Sequence, residues 1–384
     1  MKLLFITPYF HPSVGGVQNY VLNIGTRLQR DYGLEVVVIT SDRSVAAMTR
    51  DCTLGIPTYR LPVKLRISNT PVNWQWPTQV RRIIEREQPD VINAHTPVPI
   101  ISDMAARLRC KIPFVLTYHN DIVKEGLVWS RLAKTYSRMV LGGTLRASEV
   151  IITTSKYYSE ISPYLRNYAE RIEIVPPGVD TRRFNALVDK TWLKKRYPNR
   201  KIVLFLGSLE RAHNHKGVAV LITSLQRIRR RIPNAMVIVG GSGNAVGDYL
   251  ALAKRSGVSD SVVFPGFIDD DVLPRYYGGA DVFVLPSTSN AEGFGMVLLE
   301  ASACGTPVVG SDIGGVREAI VDGVDGFLVR PSSPDDLSEA VIKLLSCPEL
   351  AHRLGQQGSA KALGSWSWEC QSRKTYGVLK AALA

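Results

Sequence analysis

The chain reads as an α/β protein of two Rossmann-like, doubly wound domains facing across a cleft. Short apolar runs alternate with helical stretches through most of its 384 residues, the pattern of parallel strands joined by crossover helices. A rigid, aperiodic segment, Pro176-Pro177-Gly178-Val179-Asp180, lies near the midpoint and separates two such alternations. The length suffices for two cores of ordinary size. The first domain is expected over 1–178 and the second from 179.

Residues 2–7 are apolar enough for a first buried strand. Pro8 and Pro12 cut the run short and no small-residue cleavage site follows, so a secretory leader is not expected. Gly15 and Gly16 then sit at the mouth of a helix over 17–30, whose Val17, Val21, Ile24 and Leu28 recur at helical spacing. Residues 36–40 form the second strand. From there to Trp76 no period emerges, and this part reads as a long irregular segment, a lid or acceptor loop. Helices are expected over 80–87, 100–108 and 123–146. They alternate with strands over 91–94, 114–117, 150–153 and 173–175, the second of these running into His119. Beyond the hinge come strands over 202–206, 236–239, 262–264, 282–285 and from Val308, with helices over 218–229, 249–256, 296–304 and 334–346.

Ligands of doubly wound sheets bind beyond the carboxyl ends of the strands, and one strand–loop–helix unit concentrates chemistry there. After the run 282–285, Pro286 opens a polar loop that carries Glu292, and Gly293-Phe294-Gly295 turns the backbone into a helix beginning Met296-Val297. Free N–H groups and the positive end of the dipole at such a mouth suit an anion. Glu292 lies just before the mouth and Glu300 two turns inside it. A carboxylate repels phosphate and accepts hydroxyls, so the amides are assigned to a pyrophosphate and the carboxylates to sugar or ribose hydroxyls. Two glutamates eight residues apart are common on ordinary helices. The surrounding strand, loop and glycines give this pair its meaning.

The run Glu292-Gly293-Phe294-Gly295-Met296-Val297-Leu298-Leu299-Glu300 resembles the E-x7-E signature of the retaining, family 4 glycosyltransferases, and 301–309, Gly314-Gly315 and 326–329 resemble its continuation. The resemblance covers nearly the whole chain, most strongly over 202–330. It implies the GT-B fold and transfer of a sugar from a UDP- or GDP-linked donor, with retention, to an acceptor hydroxyl. It also implies that the last helix, within 366–384, returns to the first domain, leaving 179–365 as the nucleotide-sugar domain. Lys216, in the loop from Gly207 to Gly217, matches the family's lysine, whereas Ser208 stands where the family carries arginine and Arg211 is a displaced substitute. Both cations are assigned to the leaving diphosphate. His119 matches a histidine that faces the donor's anomeric end, and Gly15-Gly16 matches a glycine loop near phosphate and acceptor. Gly241, in a glycine-rich turn that also resembles a dinucleotide fingerprint, is expected to approach the nucleotide. Phe267 and Ile268 fall where the family holds the base. A related-fold epimerase and a non-catalytic nucleotide-sugar-binding protein remain the alternatives.

No DxD-like carboxylate pair is evident, His213 and His215 lack a third ligand at zinc spacing, and the five cysteines form no paired motif. A metal-independent enzyme that needs no cofactor, in a reducing cytoplasm, is therefore expected. The net charge is +13. Between Arg60 and Arg146 there are 14 Lys or Arg against 6 Asp or Glu, interleaved with Trp74, Trp76, Leu127, Val128 and Trp129. That basic face suits a lipid-linked acceptor and peripheral binding to the inner face of an anionic membrane. No run of apolar residues is long enough to span a bilayer. No recognition helix or RNA-binding aromatic motif appears, so nucleic acid is not an expected partner.

Overall fold

A computed structural model describes residues 1–13, 15–67, 70–96, 98–122 and 127–383. It divides into two units: Met1–Pro177 with Trp368–Ala384, and Gly178–Ser367.

The first unit is built on strands β1 (Lys2–Ile6), β2 (Glu35–Asp42), β3 (Thr49–Thr53) and β4 (Ile56–Pro62), a small hairpin of β5 (Leu65–Ile67) and β6 (Thr70–Val72), and then β7 (Val91–Thr96), β8 (Phe114–Tyr118), β9 (Val150–Thr153) and β10 (Ile172–Ile174). Eight of these form one sheet in the order β10-β9-β8-β7-β1-β2-β4-β3. Its pairings are parallel except β3 with β4. The interior strands are apolar on both faces, as a sheet covered by helices on each side requires. The part expected to be irregular up to Trp76 is corrected here, because it contains β3 to β6. Its strands escape notice because β3 is polar and exposed while β4 carries Pro57 and Pro62, residues that suit the margin of a sheet.

Of the helix expected over 123–146, residues 123–126 lie outside the described residues. The rest is Leu127–Tyr136, a π-helical turn at Ser137–Leu141, and Gly142–Ala147. The carboxyl-terminal helix Trp368–Ala381 packs on Gly16–Tyr32. Tyr376 stacks on Tyr32 with centroids 4.2 Å apart, Trp368 meets Tyr20 edge-on at 5.7 Å, and Glu369 accepts from Arg27 Nε at 3.2 Å.

In the second unit, β11 (Lys201–Leu206), β12 (Ala235–Gly240), β13 (Val262–Gly266), β14 (Val282–Leu285), β15 (Val308–Ser311) and β16 (Gly326–Val329) make an all-parallel sheet in the order β13-β12-β11-β14-β15-β16. The order reverses direction between β11 and β14, the kind of switch point at which loops diverge and leave room for a ligand. The helix Pro348–Ser365, which the sequence reading passes over, lies close against the Met296–Ala303 unit. Ser359 Oγ donates to Ala303 O at 3.2 Å, and a Cβ on Gly355 would come within 2.2 Å of Gly305 O.

Candidate active site

Main-chain hydrogen bonds lace together the loops that leave β11, β12, β13 and β14. Gly207 N donates to Gly240 O (3.1 Å), Leu209 N to Ser242 O (2.9 Å), Gly241 N to Gly266 O (2.8 Å) and Thr288 N to His215 O (2.7 Å). Residues far apart in sequence thus share one fixed platform. Gly217 shows how tight it is: its φ is +78°, and a Cβ there would lie 1.8 Å from Pro286 O in the loop after β14. Gly295, at φ +77°, caps the amino end of the helix Met296–Ala303 and backs onto Leu285, 2.7 Å from where a Cβ would stand. Only glycine serves at either place.

On this platform Lys216 Nζ donates to Glu292 Oε2 at 2.8 Å. Both side chains are largely enclosed, with 21% and 10% of their surfaces exposed, so the charges are poorly screened and each fixes the other. Ser287 Oγ adds a longer contact to the same carboxylate oxygen, 3.4 Å. Lys216 also lies over Gly207, with its Cδ 3.1 Å from the position of an added Cβ.

Glu300, on the first turns of the helix, accepts from Tyr277 Oη at 2.6 Å. Burial lifts its carboxyl to about 7, against the pull of the Tyr277 hydroxyl and the Arg183 charge. Tyr277 is itself fully buried, with its phenol held protonated by burial and by the adjacent Glu300. Tyr277 and the charge of Arg183 are influences on Glu300 that sequence reasoning missed: neither residue lies at a motif position, and only the packing of the helix Leu273–Gly279 against Met296–Ala303 reveals the first.

Other assigned residues are placed differently. Arg211 makes a two-pronged ion pair with Asp248, at 2.8 and 3.2 Å, on an exposed surface. Ser208, standing at the family's arginine position, is joined by His213 Nδ1 at 2.8 Å. Ile268 is buried beneath Gly240, whereas Phe267 is 70% exposed. Phe294 is buried with its ring tilted on Trp366 at 5.1 Å, beside Gly315. Gly293 has an open side, and Met296 and Val297 are half-buried at the helix mouth. Among the described residues no group of three or more His, Cys, Asp or Glu is placed to hold a metal.

In the first unit, His119 follows directly on β8 and is half-buried; its Nε2 lies 3.0 Å from Nδ1 of His95, with the two rings stacked at 5.3 Å. Tyr20 stands edge-on to both rings. Gly15 and Gly16 open the helix Gly16–Tyr32 as expected of a glycine-bearing mouth, and among the described residues no side chain caps that end. His95 is a further omission, although its signal was the same as that of His119: a polar ring at the carboxyl end of a buried strand.

Two parallel-sheet units of this kind make up the GT-B fold. Solved structures share the fold. Sucrose-phosphate synthase from Thermosynechococcus elongatus matches with a TM-score of 0.79 and 22% identity, over 99% of this chain and 98% of that one. HepE from Anabaena, in complex with UDP, matches with a TM-score of 0.80 and 20% identity, over 99% and 100%. The family described as Glycosyl transferases group 1 matches residues 190–361, and Glycosyltransferase Family 4 matches 14–183. The chain belongs to this glycosyltransferase family. A GDP-mannose-dependent alpha-(1-6)-phosphatidylinositol monomannoside mannosyltransferase of Mycolicibacterium smegmatis is 28% identical over 387 residues, 98% of each chain.

Proposed function

We propose that this glycosyltransferase moves a hexose from a UDP- or GDP-linked donor to an acceptor hydroxyl, with retention at the anomeric carbon and without a metal ion. The observation that carries the reading is the Lys216–Glu292 contact at the mouth of the helix Met296–Ala303. A cation and the amides at a helix mouth suit the departing diphosphate, and preorganised donors of this kind stabilise developing charge strongly. Once phosphate draws the ammonium, the Glu292 carboxylate accepts from hydroxyls of the transferred sugar. Glu300, oriented by Tyr277, takes ribose hydroxyls. No carboxylate is assigned as a covalent nucleophile. A donor phosphate oxygen accepts the acceptor's proton as the new glycosidic bond forms and the bond to the diphosphate breaks. His119 contributes a hydrogen bond to a sugar hydroxyl.

The acceptor is proposed to be lipid-linked, or a polysaccharide precursor, met by a cytoplasmic enzyme bound peripherally to the inner face of an anionic membrane. The basic surplus of the first unit supports this, as does the exposure of Trp74, Leu132 and Met139, at 75%, 55% and 73%. Among the described residues no helix is long and apolar enough to cross a membrane. The name of the mycobacterial relative makes GDP-mannose the first donor to try.

The test is a binding screen of nucleotide sugars followed by nucleotide release with and without acceptor, repeated with a chelator. Acceptor-dependent release that survives chelation supports the reading. Acceptor-independent conversion of the donor to an isomer identifies an epimerase instead, and binding without turnover identifies a non-catalytic protein.

A further inference from the structure

His95 has no part in the sugar-transfer reading. It lies at the carboxyl end of β7, wholly buried, with Phe5 and Tyr20 rings around it at 5.5 and 6.0 Å. Its Nδ1 is 3.0 Å from His119 Nε2, while its own Nε2 has no hydrogen-bond partner among the described residues. Burial holds both rings neutral, pushing His119 down to about 3 and His95 well below its ordinary value, the latter helped by the proximity of His119. A neutral imidazole carries one N–H, so a 3.0 Å contact between two of them admits only two arrangements. In one, His119 Nε2–H donates to His95 Nδ1, which strands the remaining His95 proton on a buried Nε2–H with no acceptor among the described residues. In the other, His95 Nδ1–H donates to His119 Nε2, leaving His95 Nε2 as a bare acceptor. Orphaned buried N–H groups are the rarer and costlier defect. The second arrangement therefore wins.

We propose that His95 is a positioning residue for His119: its Nδ1–H donates to His119 Nε2 and so locks His119 in the Nδ1–H tautomer. His119 then offers a hydrogen-bond donor, not an acceptor, at Nδ1, its one remaining polar ring atom. It is suited to a hydroxyl or phosphate oxygen and unsuited to abstracting a proton at neutral pH. The stacked contact also removes rotation of the His119 ring, so that the group is held in place before any ligand arrives. The relevance to transfer rests on the assignment of His119 proposed above; the tautomer itself does not.

The test uses the full-length protein labelled with ¹⁵N-histidine, with long-range ¹H–¹⁵N correlation to report which ring nitrogen of His119 bears the proton. The wild-type protein is expected to show His119 protonated at Nδ1. His95→Asn, whose side-chain amide can donate from nearly the same place, is expected to retain that pattern and to transfer within about threefold of wild type. His95→Leu is expected to move His119 to the Nε2–H form and to lower kcat about tenfold or more, with KM for the sugar donor changed far less. A wild-type His119 protonated at Nε2 overturns the proposal, even if no variant folds, and so does an unchanged tautomer in His95→Leu. His119→Ala, assayed alongside, separates the two ideas: wild-type transfer in that variant removes the role of His119 in the reaction while the NMR result still decides what His95 does to its ring.

Discussion

Gly217→Ala is the perturbation that most directly tests the shared platform of loops. An L-residue at φ +78° carries a left-handed penalty of about 1–2 kcal/mol. The added methyl would begin 1.8 Å from Pro286 O, whereas carbon and oxygen in contact stay more than ~3 Å apart, so one loop must retreat by more than an ångström. Forced repacking of that size costs a further ~1–3 kcal/mol, which puts the total near 2–5 kcal/mol. The displaced backbone is the one leading from β14 to Glu292, and the residue before Gly217 is Lys216. A shift of about 1 Å at reacting groups can lower turnover about a hundredfold. Urea unfolding and nucleotide release are the assays. Stability within ~0.5 kcal/mol of wild type, together with transfer within twofold, would refute the claim that this glycine sets the spacing of the two loops.

Lys216→Ala should weaken nucleoside diphosphate binding by about 10- to 100-fold, the worth of a charge-assisted hydrogen bond, as read by calorimetry. Glu292→Gln should leave UDP or GDP affinity within about threefold while kcat falls about a hundredfold; transfer close to wild type would count against its contact with the sugar. Arg211→Ala should change nucleotide affinity by less than about threefold and leave the urea midpoint close to that of wild type, because its pair with Asp248 is exposed. Glu300 predicts a pH effect. Its folded carboxyl titrates at about 7 and its unfolded one near ~4.3, so between these values the folded chain binds more protons, and this group's contribution to stability declines as pH rises. If the ionised form accepts ribose hydroxyls, nucleotide affinity should climb from pH 6 to pH 8, and Glu300→Gln should flatten that climb.

The alternation of apolar runs and helices was legible because buried parallel strands such as β8 and β11 are nearly uniform in hydrophobicity. The margin of the first sheet was not, since proline in β4 and charge in β3 serve edges that periodicity does not describe. Lys216 and Glu292 were legible as chemistry from their loops and glycines, and the fold brings them within a hydrogen bond. The partners that tune the site were hidden for a different reason. Tyr277 reaches Glu300 from a seven-residue helix, Trp366 covers Phe294 from the far end of the unit, and Asp248 engages Arg211 from the first turn of the helix Val246–Arg255; each depends on tertiary packing that no local pattern encodes.

The most direct measurement is a crystal structure of the enzyme with bound nucleoside diphosphate. Phosphate oxygens are expected within hydrogen-bonding distance of Lys216 Nζ and of the amides between Phe294 and Val297, with Glu292 released from the lysine. Phosphates bound elsewhere, with the Lys216–Glu292 contact intact, would contradict this placement.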